Sequence, residues 1–209
     1  GKQPIEPGDV CWADLNNDGV INNLDRVKVG NLFPTVTGGF STTLGYKDFS
    51  LYARFDYALG HTLYNDLAAR SLGQYQGSFN IIDMVKDSWS ETNQDTDIPK
   101  FYYADQLSKK NITRSNNGLT AVDNNSSRFY EKGDYLALRE ITLTWNLPKK
   151  WINKALMSNA SVYVTGQNLF YITGYTGVSP EPAVDTTYGQ GLDNGRYPTP
   201  KTVLLGLSV

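Results

Sequence analysis

The sequence predicts an all-β fold, an antiparallel transmembrane β-barrel segment with tight turns at one end and long loops at the other. Three observations point there. Five stretches alternate apolar and polar residues with a period of two, the pattern of strands with one greasy and one wet face. The connections between these stretches are alternately tight and long, so in an antiparallel meander every long loop emerges at the same end. Charged residues make up only 19% of the chain and tyrosines number 14, yet no apolar run approaches the ~20 residues of a membrane helix.

The leading segment is polar and holds the sharpest local motif, D-L-N-N-D-G-V-I-N-N-L-D, from Asp14 to Asp25. Calcium requires several hard oxygen ligands converging on one point. An EF-hand-type loop of ~12 residues supplies them from positions 1, 3, 5, 7, 9 and 12, with glycine at 6 for the turn. Here those positions are Asp14, Asn16, Asp18, the Val20 carbonyl, Asn22 and Asp25, with Gly19 at the turn and the apolar Ile21 where such a loop tucks a side chain inward. The last position is Asp rather than Glu, and Pro7-Gly8-Asp9 cannot lead in as a helix. Those departures resemble a dockerin-style loop, a static staple for Ca2+ rather than a switch. An Asx-rich turn without metal would use the same residue types, because Asn and Asp bond readily to their own backbone.

The first strand pattern places Gly38, Phe40, Thr42, Leu44 and Tyr46 on one face, and Lys47-Asp48 is a hairpin-turn candidate. The second places Phe49, Leu51, Ala53, Phe55 and Tyr57 on one face and Ser50, Tyr52, Arg54 and Asp56 on the other, where Arg54 and Asp56 could pair. From Gly60 to Gly133 the pattern is mostly non-strand, with short helices expected at Leu63–Leu72 and Ile81–Trp89. The third strand alternates Ile141, Leu143, Trp145 and Leu147 with Glu140, Thr142, Thr144 and Asn146. After the short break Pro148–Asn159, the fourth places Val162, Val164 and Phe170 opposite Ser161, Thr165 and Gln167. Gly174 to Pro200 is another long polar loop, and Val203, Leu205, Leu207 and Val209 make a last strand, with Leu204 breaking its polar face. Tyr46, Tyr57 and Trp145, near strand ends on the apolar face, suit an aromatic girdle.

Much chemistry is excluded. The net charge of −2 gives no footprint for nucleic acid. One cysteine, Cys11, precludes an intrachain disulfide and reads as a small buried or half-buried residue. One histidine, His61, precludes a histidine metal cluster and reads as a loop residue. Glu91, Asp95 and Asp97 lie in a stretch with no sign of a pocket, so paired-carboxylate hydrolysis is the weakest reading. Gly1-Lys2-Gln3-Pro4 does not open as a signal peptide.

The blocks Asp14–Asp25, Gly30–Phe40, Tyr135–Pro148, Val162–Gly177 and Gly191–Thr202, above all Gly166-Gln167-Asn168-Leu169-Phe170 and Tyr197-Pro198, closely resemble the C-terminal part of SusC/RagA-family TonB-linked outer-membrane proteins of Bacteroidetes. The resemblance covers nearly the whole chain. It implies the C-terminal strands of a barrel of about 22 strands around an N-terminal plug. It also implies TonB-powered import of oligosaccharides or peptides under a SusD-like surface lipoprotein lid. A plug, a TonB-contacting segment and a terminal aromatic residue are not found here, so the chain is expected to be part of a longer polypeptide.

On this reading residues 1–36 are an extracellular loop carrying the calcium motif at 14–25. Residues 37–209 are barrel strands with extracellular loops at 60–133 and 174–200, while the turns and the chain end are periplasmic. Apolar faces meet outer-membrane lipid, and Arg54, Asp56, Glu140 and Gln167 face the lumen. The alternative is a soluble calcium-stabilised glycan-binding or adhesion module, with Trp89, Tyr102, Tyr103 and Tyr188 stacking on sugars.

Overall fold

The computed structural model of the protein describes residues 5–20, 23–69, 71–72, 82–102, 111, 126–181, 191–195 and 197–209. Among the described residues eight strands follow in chain order: β1 (Val36–Tyr46), β2 (Phe49–Leu59), β3 (Thr62–Asn65), β4 (Tyr130–Lys132), β5 (Tyr135–Asn146), β6 (Ser161–Thr173), β7 (Leu192–Asp193) and β8 (Thr202–Ser208). Two single-turn helices, α1 (Asp66–Ala69) and α2 (Lys149–Ile152), interrupt them. The chain forms two compact units. The first gathers Gly1–Gly30, Thr62–Glu131 and Val184–Gly195, and the second gathers Asn31–His61, Lys132–Ala183 and Arg196–Val209.

The second unit is built on a five-stranded sheet in the order β1-β2-β5-β6-β8, antiparallel throughout. Each long strand is joined in the ladder to the next long strand along the chain, which is the meander that the alternating loop lengths require. The register lines up one apolar face row by row. Leu44, Leu51, Leu143, Val164 and Leu205 form one row across all five strands. Tyr46, Phe49, Trp145, Val162 and Leu207 form the row nearest the tight turns. This face stays open: Leu44 is 62% exposed, Ile172 61% and Leu205 80%. A strand of β2's 11 residues spans roughly 36 Å, and a tilt of 35–45° reduces that to ~25–30 Å, the height of a bilayer's apolar band.

The turn after β1 is held by Lys47 at a φ of 52°, a left-handed conformation that closes the hairpin. The break before β6 is not a plain turn. It folds into α2 and a 3-10 turn at Asn153–Ala155, with Ile152 buried.

The first unit differs from the sequence expectation. The stretch after Gly60 opens with a strand, β3, which takes the first residues of the helix expected over Leu63–Leu72; helix follows as α1 and again at Ser71 and Leu72, with Arg70 outside the described residues. The second expected helix is a 3-10 turn at Asp83–Asp87, and Ile81 lies outside the described residues. β3 pairs in parallel with β7, which comes from the other long loop, and β4 flanks it to complete a three-stranded sheet. Tyr64, Ala69, Leu72 and Phe129 form the buried core beneath, with Val85, Ile98 and Leu192 packed against them. Apolar residues scattered through two polar loops thus converge on one small core, which periodicity cannot reveal because each contributes only a residue or two.

The leading segment is tied into this unit. Gly8 adopts a φ of +88°, and a side chain there would strike the Trp89 ring at 2.4 Å. The Tyr102 hydroxyl donates to Asp9 Oδ1 at 2.7 Å, and Lys100 Nζ donates to Glu6 Oε2 at 2.8 Å. Burial, followed by that bond to Asp9, raises the Tyr102 phenol above its ordinary range. Trp89 and Tyr102 are therefore half-buried packing residues rather than open sugar platforms, while Tyr103 and Tyr188 lie outside the described residues. Cys11 is exposed rather than buried or half-buried.

Phe129→Ala should cost this unit about 3–5 kcal/mol, because a buried aromatic leaves a cavity under Tyr64. Hydrogen exchange by mass spectrometry should show lost protection over residues 62–72, with the five-stranded sheet unchanged.

Candidate functional site

The polar face of the five-stranded sheet carries Arg54, Glu140 and Gln167. Its rows follow the same register. Ser41, Arg54, Glu140, Gln167 and Thr202 stand side by side across the strands, and Thr43, Tyr52, Thr142, Thr165 and Leu204 form the next row. Arg54 Nη2 lies 3.9 Å from Glu140 Oε2, a loose and partly solvated pair worth little on its own. The Thr142 and Thr165 hydroxyls are 2.8 Å apart and link β5 to β6.

Asp56 does not pair with Arg54, as the sequence allowed. Its partner is Arg139, a residue that strand alternation assigns to the apolar face. A pair of offsets in the ladder explains the change. Arg54 faces Glu140 but Phe55 faces Leu138, so β5 carries one extra residue, Arg139. Across from it Glu140 faces Gln167 and Leu138 faces Phe170, so β6 carries Asn168 and Leu169 there, with Asn168 at a φ of 52°. Such a bulge re-aims side chains locally. It swings Arg139 onto the polar face beside Glu140. It also explains the run Gly166–Phe170: a side chain on Gly166 would meet Leu169 Cδ1 at 2.8 Å, so glycine leaves the space into which Leu169 folds.

Arg139 then organises a cluster. Its Nε and Nη2 grip Asp56 Oδ1 and Oδ2 at 2.5 and 2.9 Å, a two-pronged pair. Nη2 also meets Glu181 Oε1 at 2.5 Å. Nη1 donates to the Tyr171 hydroxyl at 3.0 Å, and that hydroxyl donates to Glu181 Oε1 at 2.8 Å. The guanidinium lies over the Tyr135 and Tyr171 rings, 6.0 and 5.5 Å from their centroids. Between Asp56 and Tyr171 in the row stands Ala137, whose small buried side chain leaves room for the arginine to lie across. An open depression of about 520 Å³ adjoins Asp56 and Arg139, lined also by Gly38, Gly39, Ser41 and Arg54.

Two more contacts hold the chain near this cluster. His61 is 1% exposed, and its Nε2–H donates to the Pro180 carbonyl at 2.8 Å, with the ring edge-on to Tyr135. It is a buried tether for the segment that carries Glu181, not a free loop residue. Gly133 abuts the ring so closely that a side chain there would reach Nε2 at 2.3 Å. Asp134 accepts from the Gly60 amide at 2.6 Å, next to the end of β2.

At the calcium motif the side-chain oxygens bond back to the loop's own amides. Asp14 Oδ1 and Asn16 Oδ1 both accept from the Asp18 amide, at 3.2 and 3.1 Å, and Asp14 Oδ2 accepts from Gly19 at 2.7 Å. Asp18 Oδ1 accepts from the Val20 amide at 2.8 Å, and Asp25 Oδ1 from Leu15 at 2.8 Å. Gly19 has a φ of +79°, which the turn demands. Ile21 and Asn22 lie outside the described residues, among which no three His, Cys, Asp or Glu side chains gather as a metal group. The oxygen-only donor set and the winding suit calcium. The same geometry also closes a hydrogen-bonded Asx turn.

No family model matches the chain. Among curated proteins it is 31% identical to the TonB-dependent receptor P3 of Formosa agariphila over 98% of its length, and 31% identical to the TonB-dependent receptor P26 of the same organism over 100%. It is 25% identical to the TonB-dependent receptor SusC of Bacteroides thetaiotaomicron over 99% of its length. The chain spans 19%, 20% and 18% of those relatives. Among solved structures, the RagAB peptide transporter superposes with a TM-score of 0.61 at 27% identity, over 84% of this chain and 17% of that one. The RagAB peptide importer in its closed-closed state gives 0.60 at 27% identity, over the same shares. The chain is thus homologous over nearly its whole length to TonB-dependent receptors, SusC among them. Its fold is an antiparallel β-barrel segment of the kind those structures contain.

Arg139→Ala would leave Asp56 and Glu181 without their shared cation. The expected cost is about 1.5–3 kcal/mol, the range of hydrogen bonds to charged groups. Hydrogen exchange should rise over residues 174–181. Arg139→Lys should restore only part of the protection, because an ammonium cannot grip a carboxylate in two-pronged fashion.

Proposed function

We propose that this chain is a section of the wall of an outer-membrane, TonB-dependent transporter that imports oligosaccharides or peptides with a SusD-like lipoprotein as its lid. The observation that carries this is the sheet itself: five strands of meander order, one continuous exposed apolar face, one polar face, and edge strands β1 and β8 available for further wall strands. The apolar face meets outer-membrane lipid. Arg54, Asp56, Glu140 and Gln167, joined by Arg139, face the lumen and the plug. The energy reaches the transporter through TonB and a plug that the rest of the polypeptide supplies.

In this orientation the Lys47-Asp48 turn, the α2 turn and the chain end are periplasmic, and the long loops are extracellular. The mixed carboxylate, guanidinium, hydroxyl and amide groups of the polar rows suit hydrogen bonding to a hydrated peptide or sugar, without covalent chemistry. Calcium held by Asp14, Asn16, Asp18, the Val20 carbonyl, Asn22 and Asp25 would rigidify the leading loop and lower the entropy of keeping it in place. The oxygen-only donors and the left-handed Gly19 support that assignment.

The open apolar face disfavours a soluble glycan-binding module, since a patch this size in water invites aggregation. Leu143 sits in the second apolar row from the tight turns, between the interface and the midplane. Leu143→Arg should destabilise the membrane-inserted barrel by ~1–3 kcal/mol, read as a fall in the assembled, heat-modifiable fraction in outer membranes. Thr142→Arg, one residue earlier and facing the other way, should be tolerated. Equal tolerance of both variants would overturn the assignment of faces. For calcium, terbium luminescence sensitised through Trp12 should rise on titration and be displaced by calcium, and Asp14→Ala with Asp18→Ala should abolish it. Absence of saturable terbium binding would remove the metal.

A further inference from the structure

We infer that the turn between β5 and β6, with Trp151, Leu156, Lys149, Lys150 and Lys154, docks the headgroups of anionic phospholipids in the membrane leaflet at the tight-turn end of the wall. The inference rests on the membrane-wall reading and adds a lipid-selective site to it.

The turn is ordered, so its side chains are placed rather than adrift. The Trp151 and Ile152 amides bond to the Pro148 carbonyl at 2.8 and 3.4 Å, Met157 bonds to the Ile152 carbonyl, and the Leu147 amide bonds to Ala160 at 2.9 Å. Ile152 is buried beneath. From this frame Trp151 reaches back to the apolar face: its ring meets Trp145 edge-on at 5.8 Å, and Trp145 stacks on Phe49 at 6.0 Å. Three aromatic rings therefore run from β2 across β5 into the turn, and the outermost remains 57% exposed. Indole rings at the end of a lipid-facing surface belong at the headgroup level, where one edge is apolar and the other wet.

Leu156 is 97% exposed and has a φ of 58°, in the left-handed region that glycine or asparagine normally fills. A leucine in that conformation, with its side chain open to solvent, gains nothing from its apolar surface in water. Against acyl chains it gains the burial that the fold does not give it.

The charges complete the site. No acidic residue occurs between Glu140 and Glu181, while three lysines fall within positions 149–154. All three are exposed, and none is in an ion pair among the described residues. The neighbouring β1–β2 turn adds Lys47, whose ammonium lies 5.3 Å from the Tyr46 ring centroid, with Asp48 as the acid beside it. Lysines whose stems lie along an apolar rim while their ammonium groups reach the interface attract lipid phosphates, and aromatic rings beside them fix the depth.

The test uses the full-length protein that carries this chain, purified in detergent with phosphatidylglycerol and phosphatidylcholine in equal amounts. Native mass spectrometry counts the retained lipids. The unaltered protein should hold phosphatidylglycerol preferentially. K149Q/K150Q/K154Q should reduce that preference by about tenfold, and K149R/K150R/K154R should keep it. No preference in the unaltered protein, or an unchanged preference in the glutamine variant, overturns the inference. Alkaline carbonate washing of membranes separates the two readings. Protein that stays in the pellet without lipid preference sinks this proposal alone, and protein released to the supernatant sinks the membrane wall with it.

Discussion

Inside hydrocarbon there is no water to accept an orphaned amide, so a strand that crosses must find all its backbone partners in neighbouring strands. That demand shapes this molecule more than any side-chain contact. It makes β2, β5 and β6 each lie between two neighbours in the ladder. It explains why the chain returns at once through Lys47-Asp48 and the α2 turn but travels far between β2 and β5 and between β6 and β8. Once the ladder is set, side-chain alternation follows, and with it one face for lipid and one for water. β1 and β8 at the sheet's edges carry the same demand outward, to strands that a barrel of this type supplies.

Against that regular ladder the bulge at Arg139 is the chief irregularity, and the polar cluster depends on it. A strictly alternating β5 would aim Arg139 into the apolar face, at a severe desolvation cost. One extra residue turns it to the polar side, where Asp56, Glu181 and two tyrosine rings receive it. The cluster has one cation for two carboxylates, so the wall keeps an acidic balance at this point. Because Glu181 lies beyond β6, the arginine couples wall to loop: strand β5 holds the start of the segment after Tyr175 through a side chain, and His61 holds it again through Pro180.

The long strands were legible because each carries several residues of one pattern, and Leu143 or Phe49 could be assigned a face from neighbours alone. Arg54, Glu140 and Gln167 fall in one ladder row, with Asp56 two residues along β2 from Arg54, but the partner of Asp56 was not legible, since Arg139 reaches it only through an offset that alternation does not encode. Asn168 in the Gly166–Phe170 run was the available signal, as an asparagine tolerates left-handed backbone at a bulge. β3, β4 and β7 are two to four residues long, below the length at which a period can be recognised. His61 could not be distinguished from a loop histidine, because its burial depends on Pro180, Tyr135 and Gly133 meeting around it. Trp89 was a sugar platform only in the alternative reading as a soluble module, and its packing on Gly8 could not be read because the two lie about 80 residues apart.

The parallel pairing of β3 with β7 sets an order of events. Tyr64 must wait for Leu192, and between them the chain makes both β5 and β6. A polypeptide emerging from its N-terminal end therefore leaves the first unit's sheet unfinished until almost the last of these residues arrives. Contacts this distant in sequence slow closure, and the half-built sheet exposes an unsatisfied edge meanwhile. The first unit's sheet therefore gains its last strand only after the four longest strands of the second unit have been made.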